Sequence, residues 1–309
     1  MSFAGRKYRG TLQKELEDFF IDDYKAYYKI QNEIGKSFFG SVFMAYVIDT
    51  KVKIAIKIIN KKKIKEHLKG IYIKDEDEIV KQYNNIIDNF ENEASILKEC
   101  NICENSITYY DKFNNENEFA IAMELCDKNL LSLIQKKNKF EKEEIYYILI
   151  QLNNIFKIME EKKIIHRDLK PENILIKYIN KEKTKYIIKL SDYCVSKKIT
   201  NLQQKCKTII GTILTMAPEI LNENEYNYKC DLWSLGVIIY LLVFGEYPYK
   251  GETTFAIKNK INTHGQNFLK HTEDQQLNSL IFSLLERDPE RRLSWQEYFN
   301  HSFFNKKNE

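Results

Sequence analysis

The sequence predicts an α+β protein of two unequal lobes, a small β-rich one followed by a larger helical one. Between Tyr28 and Ile59, the segments KIQNEI, SVFMAYVI and VKIAIKII are dense in β-branched and aromatic residues. They are separated by the glycine-bearing turn 35–40 and by Asp49-Thr50, the pattern of strands joined by tight turns. After Asp127 the pattern changes to long apolar stretches at helical spacing, EEIYYILIQLNNIFKIMEE among them. At 309 residues, 43% hydrophobic and 30% charged, the chain can bury one large core or two modest ones, and global disorder is excluded. The change of character near Cys126–Asn129 marks a hinge, and a hinge between unlike lobes implies a cleft where ligands collect.

Taken in order, residues 1–27 form a charged extension ending in FFIDDYKA, with room for one helix. Three strands follow. The lysine- and acid-rich stretch 61–80 reads as a solvated loop or helix face. Apolar residues at 86, 87, 90, 94 and 97 have the spacing of a helix face. SITYYDKF and EFAIAMEL read as two more strands; LLSLIQ and 143–161 as helices; NILIKYI and YIIKLSD as short strands; and helices dominate from Pro218 onward. No internal repeat is visible.

Lysine plus arginine number 48 against 44 acidic residues, a net charge of +4. That is too mild to make nucleic acid or an anionic membrane the main partner. The longest nearly unbroken apolar run, Leu235–Phe244, falls far short of the roughly 20 residues of a spanning helix. The N-terminus has no apolar h-region and no glycine directly after Met1, so a soluble intracellular protein, cytoplasmic or nuclear, is expected. Six scattered cysteines fit reduced thiols, and Cys100-x-x-Cys103 lacks the second pair that would complete a zinc site.

The strongest chemical signal is His166-Arg167-Asp168-Leu169-Lys170-Pro171-Glu172-Asn173. A carboxylate here can accept a hydroxyl proton, and a lysine two residues on can neutralise phosphoryl oxygens. An amide five residues on can offer its carbonyl oxygen to a hard cation. Nineteen residues after Asn173, the strand-like YIIKLS delivers Asp192 to its end, where a second carboxylate could hold the same cation. Upstream, Ile34-Gly35-Lys36-Ser37-Phe38-Phe39-Gly40-Ser41-Val42 precedes a strand carrying Ile54-Ala55-Ile56-Lys57. Backbone N–H groups and one ammonium would there surround a polyphosphate.

With these residues in view, the chain resembles a eukaryotic protein kinase of the serine/threonine type, whose catalytic loop reads HRDLKPEN. The resemblance implies the two-lobed kinase fold over 28–304, with a small lobe 28–126, a large lobe 127–304 and a short tail 305–309; with five residues after Phe304, a regulatory tail of the calmodulin-responsive type is not expected. ATP and magnesium are implied as cofactors, with serine and threonine hydroxyls of proteins as acceptors. Asp168 and Lys170 are the catalytic pair, with Lys57 on the phosphates and Glu93, in Glu-x-x-Ile-Leu, as partner of Lys57; Glu91 is the alternative. Asn173 and Asp192 are the metal ligands. Ile34, Gly35, Ser37, Gly40, Val42, Ala55, Met123, Glu124, Cys126 and Leu175 line the nucleotide site. Thr208, three residues before Gly211, stands where relatives carry an activating phosphate, added by an upstream kinase or by autophosphorylation. Arg167 and Lys197 would gather that phosphate, and without it Arg167 is expected to be an unpaired cation.

Further segments match to the end: Gly211-Thr212, Met216-Ala217-Pro218-Glu219, Asp231-Leu232-Trp233-Ser234-Leu235-Gly236, and Asp288-Pro289 with Arg292, the expected partner of Glu219. The sequence departs from the pattern at Ser37 (for a glycine), Tyr193-Cys194 (for Phe-Gly) and Thr215 (for a tyrosine). Cys194 lacks the freedom of glycine at positive φ. These departures keep open an alternative, a pseudokinase acting as a scaffold or allosteric partner. A kinase of small molecules is disfavoured by 211–219, which resembles a peptide-docking element.

Overall fold

The computed structural model describes residues 23–36, 39–71, 75–208 and 211–305. The chain forms two compact units: one of residues up to Asn101 with Ile107–Cys126, the other of Ile102–Ser106 with Asp127 onward. The helix expected within 1–27 falls almost wholly outside the described residues, which begin with a single 3-10 turn, Tyr24–Ala26, capped by Asp23.

In the first unit, β1 (Tyr28–Lys36), β2 (Gly40–Val47), β3 (Lys53–Asn60), β4 (Tyr109–Asn114) and β5 (Glu118–Glu124) form one antiparallel sheet in the order β1-β2-β3-β5-β4. The central strand β3 is buried from Ile54 to Ile59. Its pleat sends Ile54, Ile56 and Ile58 into a core with Ala45, Phe113, Ala120, Ala122 and Tyr24. Ala55, Lys57 and Ile59 therefore occupy the opposite face.

Two helices complete this unit. In α1 (Lys61–Ile71), Ile64 and Leu68, one turn apart, are buried while Lys62, Lys63, Lys65 and Lys69 stay outside. In α2 (Glu76–Cys100), Phe90, Ala94, Ile96 and Leu97 are buried. The start of α2 lies ten residues before the apolar stripe that marks it in the sequence. A cap explains this: the Asp75 carboxylate accepts from Glu78 N at 2.9 Å, and Glu76, Asp77 and Glu78 place negative charge at the positive end of the helix. The described residues of 61–80 are thus α1, the cap Asp75 and the first turn of α2.

The second unit is mainly helical: α3 (Leu130–Lys137), α4 (Lys142–Glu161), α5 (Pro218–Leu221), α6 (Lys229–Phe244), α7 (Thr254–His264), α8 (Gln275–Leu284) and α9 (Trp295–Phe299). Small sheets join β6 (Lys128–Asn129), β8 (Ile174–Tyr178) and β9 (Tyr186–Leu190), and β7 (Ile164–Ile165) with β10 (Lys197–Lys198). α6 is buried from Cys230 to Leu242, as expected of a helix apolar on every side. A Cβ on Gly236 would stand 2.8 Å from Leu284 Cβ, so glycine lets α6 approach α8. Among the described residues, no helix is long and apolar enough to cross a membrane.

Candidate active site

In the first unit, strand register gathers the candidate nucleotide-binding residues. Val42 and Ile121 flank Lys57, and Met44 and Met123 flank Ala55. Directly opposed residues share a face, so Val42, Ala55, Lys57 and Met123 lie together on the face away from the isoleucine core. Gly35 pairs with Val42, and Gly40 with Ile59. A Cβ on Gly40 would lie 1.9 Å from the Ile58 carbonyl oxygen, so no other residue fits there. Ile34 is half exposed at the end of β1. Ser37 lies outside the described residues. Glu124 points to the other face, its carboxylate accepting from the Thr108 hydroxyl at 2.9 Å, and Cys126 follows the strand, half-buried.

Lys57 and Glu93 are 7% and 1% exposed, and the Lys57 ammonium donates to both Glu93 oxygens at 2.8 Å. Two ammonium–carboxylate bonds between buried groups hold the pair in one geometry. Glu91, two residues earlier and so about 200° around the helix, instead accepts from Lys112 and, at 2.8 Å, from the Asn114 amide.

In the second unit, a 3-10 turn, Pro171–Asn173, folds the catalytic-loop motif back on itself. Lys170 Nζ donates to Asp168 Oδ2 at 2.6 Å and to Thr212 Oγ1 at 2.9 Å; Thr212 Oγ1 donates to Asp168 Oδ1 at 2.8 Å. The Asn173 amide nitrogen donates to the Asp168 backbone carbonyl at 2.9 Å, which commits that nitrogen and turns the amide oxygen away from Asp168. The Asn173 backbone carbonyl accepts from Ser191 N and Ser191 Oγ, both at 2.9 Å, so Asn173 is tied to the residue preceding Asp192. Leu175 pairs with Asn129 on one side and Lys189 on the other.

What holds this loop is a residue outside its own motif, in a segment named above only as a further match. Asp231, 2% exposed at the start of α6, accepts from the backbone N–H of His166 at 2.7 Å and of Arg167 at 2.9 Å. Burial pushes its carboxyl above the usual aspartate range, and these two bonds oppose that push. Arg167 sits at φ 67°, a strained conformation for a non-glycine residue, next to the aspartate it presents. An acid inside an apolar helical run was the available signal.

Two expectations are revised. Arg167 is a cation held by neutral groups: its Nε donates to the Val195 carbonyl at 2.5 Å, and Nη1 lies 3.4 Å from the Tyr226 hydroxyl. Tyr226 in turn donates to the Thr208 carbonyl at 2.9 Å, while Thr208 itself is exposed. Backbone carbonyls 28 residues away are invisible to motif reading. Nor does Cys194 need the freedom of glycine, since among the described residues of this segment positive φ falls on Asp192, at 62°. Tyr193 is fully buried, its ring 5.2 Å from that of His166. Gly211, at φ 122°, does need to be glycine, because a Cβ there would lie 2.8 Å from the Arg167 carbonyl oxygen. Thr215 is buried and its hydroxyl donates to the Thr212 carbonyl at 3.2 Å. Arg292 clamps Glu219 through Nη1 and Nη2 at 2.7 and 2.9 Å.

A family model described as "Protein kinase domain" matches residues 28–304. The chain belongs to the eukaryotic protein kinase family, and several of the relatives it matches are named serine/threonine-protein kinases. It is 31% identical over 285 residues to the serine/threonine-protein kinase atg1 of Dictyostelium discoideum, covering 91% of this chain and 40% of that protein. It is 33% identical over 300 residues to the putative serine/threonine-protein kinase R517/R518 of Acanthamoeba polyphaga mimivirus, covering 90% and 63%. An Aurora kinase of Eremothecium gossypii is 30% identical over 280 residues, covering 90% and 69%. The chain spans between 40% and 69% of the length of these three curated relatives.

Proposed function

We propose that the chain transfers the γ-phosphoryl group of ATP to serine or threonine hydroxyls of protein substrates, with magnesium. One observation carries this reading: the ammonium of Lys170 and the hydroxyl of Thr212 converge on the two oxygens of Asp168, with Asn173 bonded to the same residue. Both carboxylate oxygens are thereby oriented, which suits a group that must accept a proton along one direction. Lys170, next to that carboxylate, would meet the negative charge on the transferring phosphoryl oxygens. Lys57, immobilised on Glu93, would present its ammonium to the α- and β-phosphates of the substrate nucleotide.

The donors available for a metal fit magnesium. The Asp192 carboxylate and the Asn173 amide oxygen are hard oxygen ligands, and the Asn173 nitrogen is already committed to Asp168. Magnesium bound there would neutralise charge on the nucleotide phosphates. The chain itself fixes the ligands through the Ser191 bonds to the Asn173 carbonyl.

We further infer that Thr208 is the site of an activating phosphate, supplied by an upstream kinase or by autophosphorylation. Its exposure and its link through Tyr226 to Arg167 support this. A phosphate there would add about −1.5 to −2 charges and draw the guanidinium away from its weak 3.4 Å contact.

Radiolabelled γ-phosphate transfer to a serine/threonine peptide library tests the activity. Asp168→Asn, Lys57→Met and Asp192→Ala should each abolish labelling in a folded protein. Near wild-type labelling by any of them would sink the mechanism, and an inert wild type bearing phosphate on Thr208 would favour the scaffold alternative. Full activity of Thr208→Ala, with no phosphate at 208 in the active wild type, would refute the activation step.

A further inference from the structure

The chemistry above leaves unused a groove of about 450 Å³ between α1 and the beginning of α2, lined by Lys65, Lys69, Glu76, Ile79, Val80 and Tyr83. Its apolar surface is open to water: Val80 is 58% exposed, and Ile71, at the end of α1, is 56% exposed. Lys65 Nζ stands 5.0 Å above the Tyr83 ring. Glu76 is the single carboxylate in the lining, and α1 as a whole carries five lysines against one glutamate. An exposed aliphatic and aromatic surface rimmed by ammonium groups suits an acidic segment with apolar side chains.

We propose that this groove docks the chain's own segment Glu15–Asp22, ELEDFFID. That segment carries four carboxylates and no base, and among them Leu16, Phe19, Phe20 and Ile21. The point of attachment supports docking in cis. Tyr24 is buried in the first unit and donates to Glu118 at 3.0 Å; Glu118 is the register partner of Asn60, and α1 begins at the next residue. Lys61 N is bonded to the Asn117 carbonyl at 2.9 Å. Residue 23, next to Tyr24, therefore lies beside the start of α1. From there to Lys69 is about 12 Å along the helix, whereas eight extended residues reach about 26 Å. So short a tether gives a local concentration on the order of millimolar, enough for a modest contact to persist.

Docking would brace the half of α2 that precedes Glu93. This consequence rests on the role given to Glu93 above; the docking does not.

The test uses the full chain. An equal mixture of isotopically light and heavy protein is treated with a carbodiimide, which joins carboxylates to amines in contact, and the products are mapped by mass spectrometry. Links within one chain from Glu15, Glu17, Asp18 or Asp22 to Lys65 or Lys69 are expected. Links spread evenly over the lysines of the chain would overturn the proposal, and so would links to Lys65 and Lys69 that form only between light and heavy chains. In the second arm, amide exchange over 76–83 should be about tenfold faster in Phe19→Ala/Phe20→Ala than in wild type. Lys65→Glu/Lys69→Glu should do the same. Equal exchange in the three proteins would overturn the proposal whether or not the chain transfers phosphate.

Discussion

Replacing Asp231 by asparagine removes one charge and alters one donor–acceptor match, with little change in volume. In the wild type, Oδ2 accepts from His166 N at 2.7 Å and Oδ1 from Arg167 N at 2.9 Å. Asparagine keeps one acceptor, but its NH₂ must face the other backbone N–H. One charge-assisted bond is lost, about 1.5–3 kcal/mol, and a buried N–H is left without a partner, about 1–3 kcal/mol. Relief of the burial that raises the Asp231 carboxyl offsets part of this. A net loss of about 2–4 kcal/mol remains, or a fall in Tm of about 5–12 °C. Because the two bonded residues lead directly into Asp168, and Arg167 holds a strained φ of 67°, the loop should also lose its orientation. An effect of about 1.4–2.7 kcal/mol on the transition state would lower kcat about ten- to a hundredfold, with KM for ATP near the wild-type value. Thermal melting and steady-state phosphate transfer measure the two effects. An Asp231→Asn protein that melts and turns over like wild type would refute the reasoning.

Three further outcomes are expected. Arg292→Lys keeps the charge but not the fork that holds Glu219; with Arg292 1% exposed, stability to denaturant should drop by about 3–5 kcal/mol, and a loss below about 1 would contradict the assignment. Among the described residues the buried Glu172 Oε2 meets no hydrogen-bond donor, and the Tyr247 hydroxyl is pushed up to about 12 by burial and then by Glu172. A peptide library should show a mild preference for a basic residue before the acceptor hydroxyl, with Glu172 as the carboxylate that would meet it; Glu172→Gln should erase it, and a profile dominated by acidic or proline-directed peptides would count against it. Hydrogen bonds from Lys250 and Lys270 hold the Glu246 carboxyl at about 2, below its unfolded value, so its contribution is present above the unfolded pKa and fades as pH falls toward the folded one. These three charges are screened by solvent, so the stability gap between wild type and Glu246→Gln is small, and it should shrink as pH falls from about 4.5 toward about 2; a gap that widens would reverse the sign argued here.

The catalytic loop was legible because its chemistry is local: eight consecutive residues bring carboxylate, ammonium and amide within one turn of chain. The strands of the first unit and the helices of the second were legible for a similar reason, since side chains of period 2 and 3.6 leave their mark on composition. The two-residue strands β6, β7 and β10 are too short to carry a period. The early start of α2 depended on a cap at Asp75, not on its apolar stripe.

What the amino-acid order alone determined is therefore the family, the two kinds of lobe and the identities of the candidate site residues. Only the tertiary structure decided which groups meet. It turned Glu93 rather than Glu91 toward Lys57, hung the catalytic loop from Asp231, 65 residues downstream of His166, and paired Arg167 with a carbonyl at Val195. It also brought residue 24 beside the root of α1. Periodicity records which way a side chain faces its own helix or strand. It carries no record of which distant backbone will be waiting there, because that depends on the path of the whole chain.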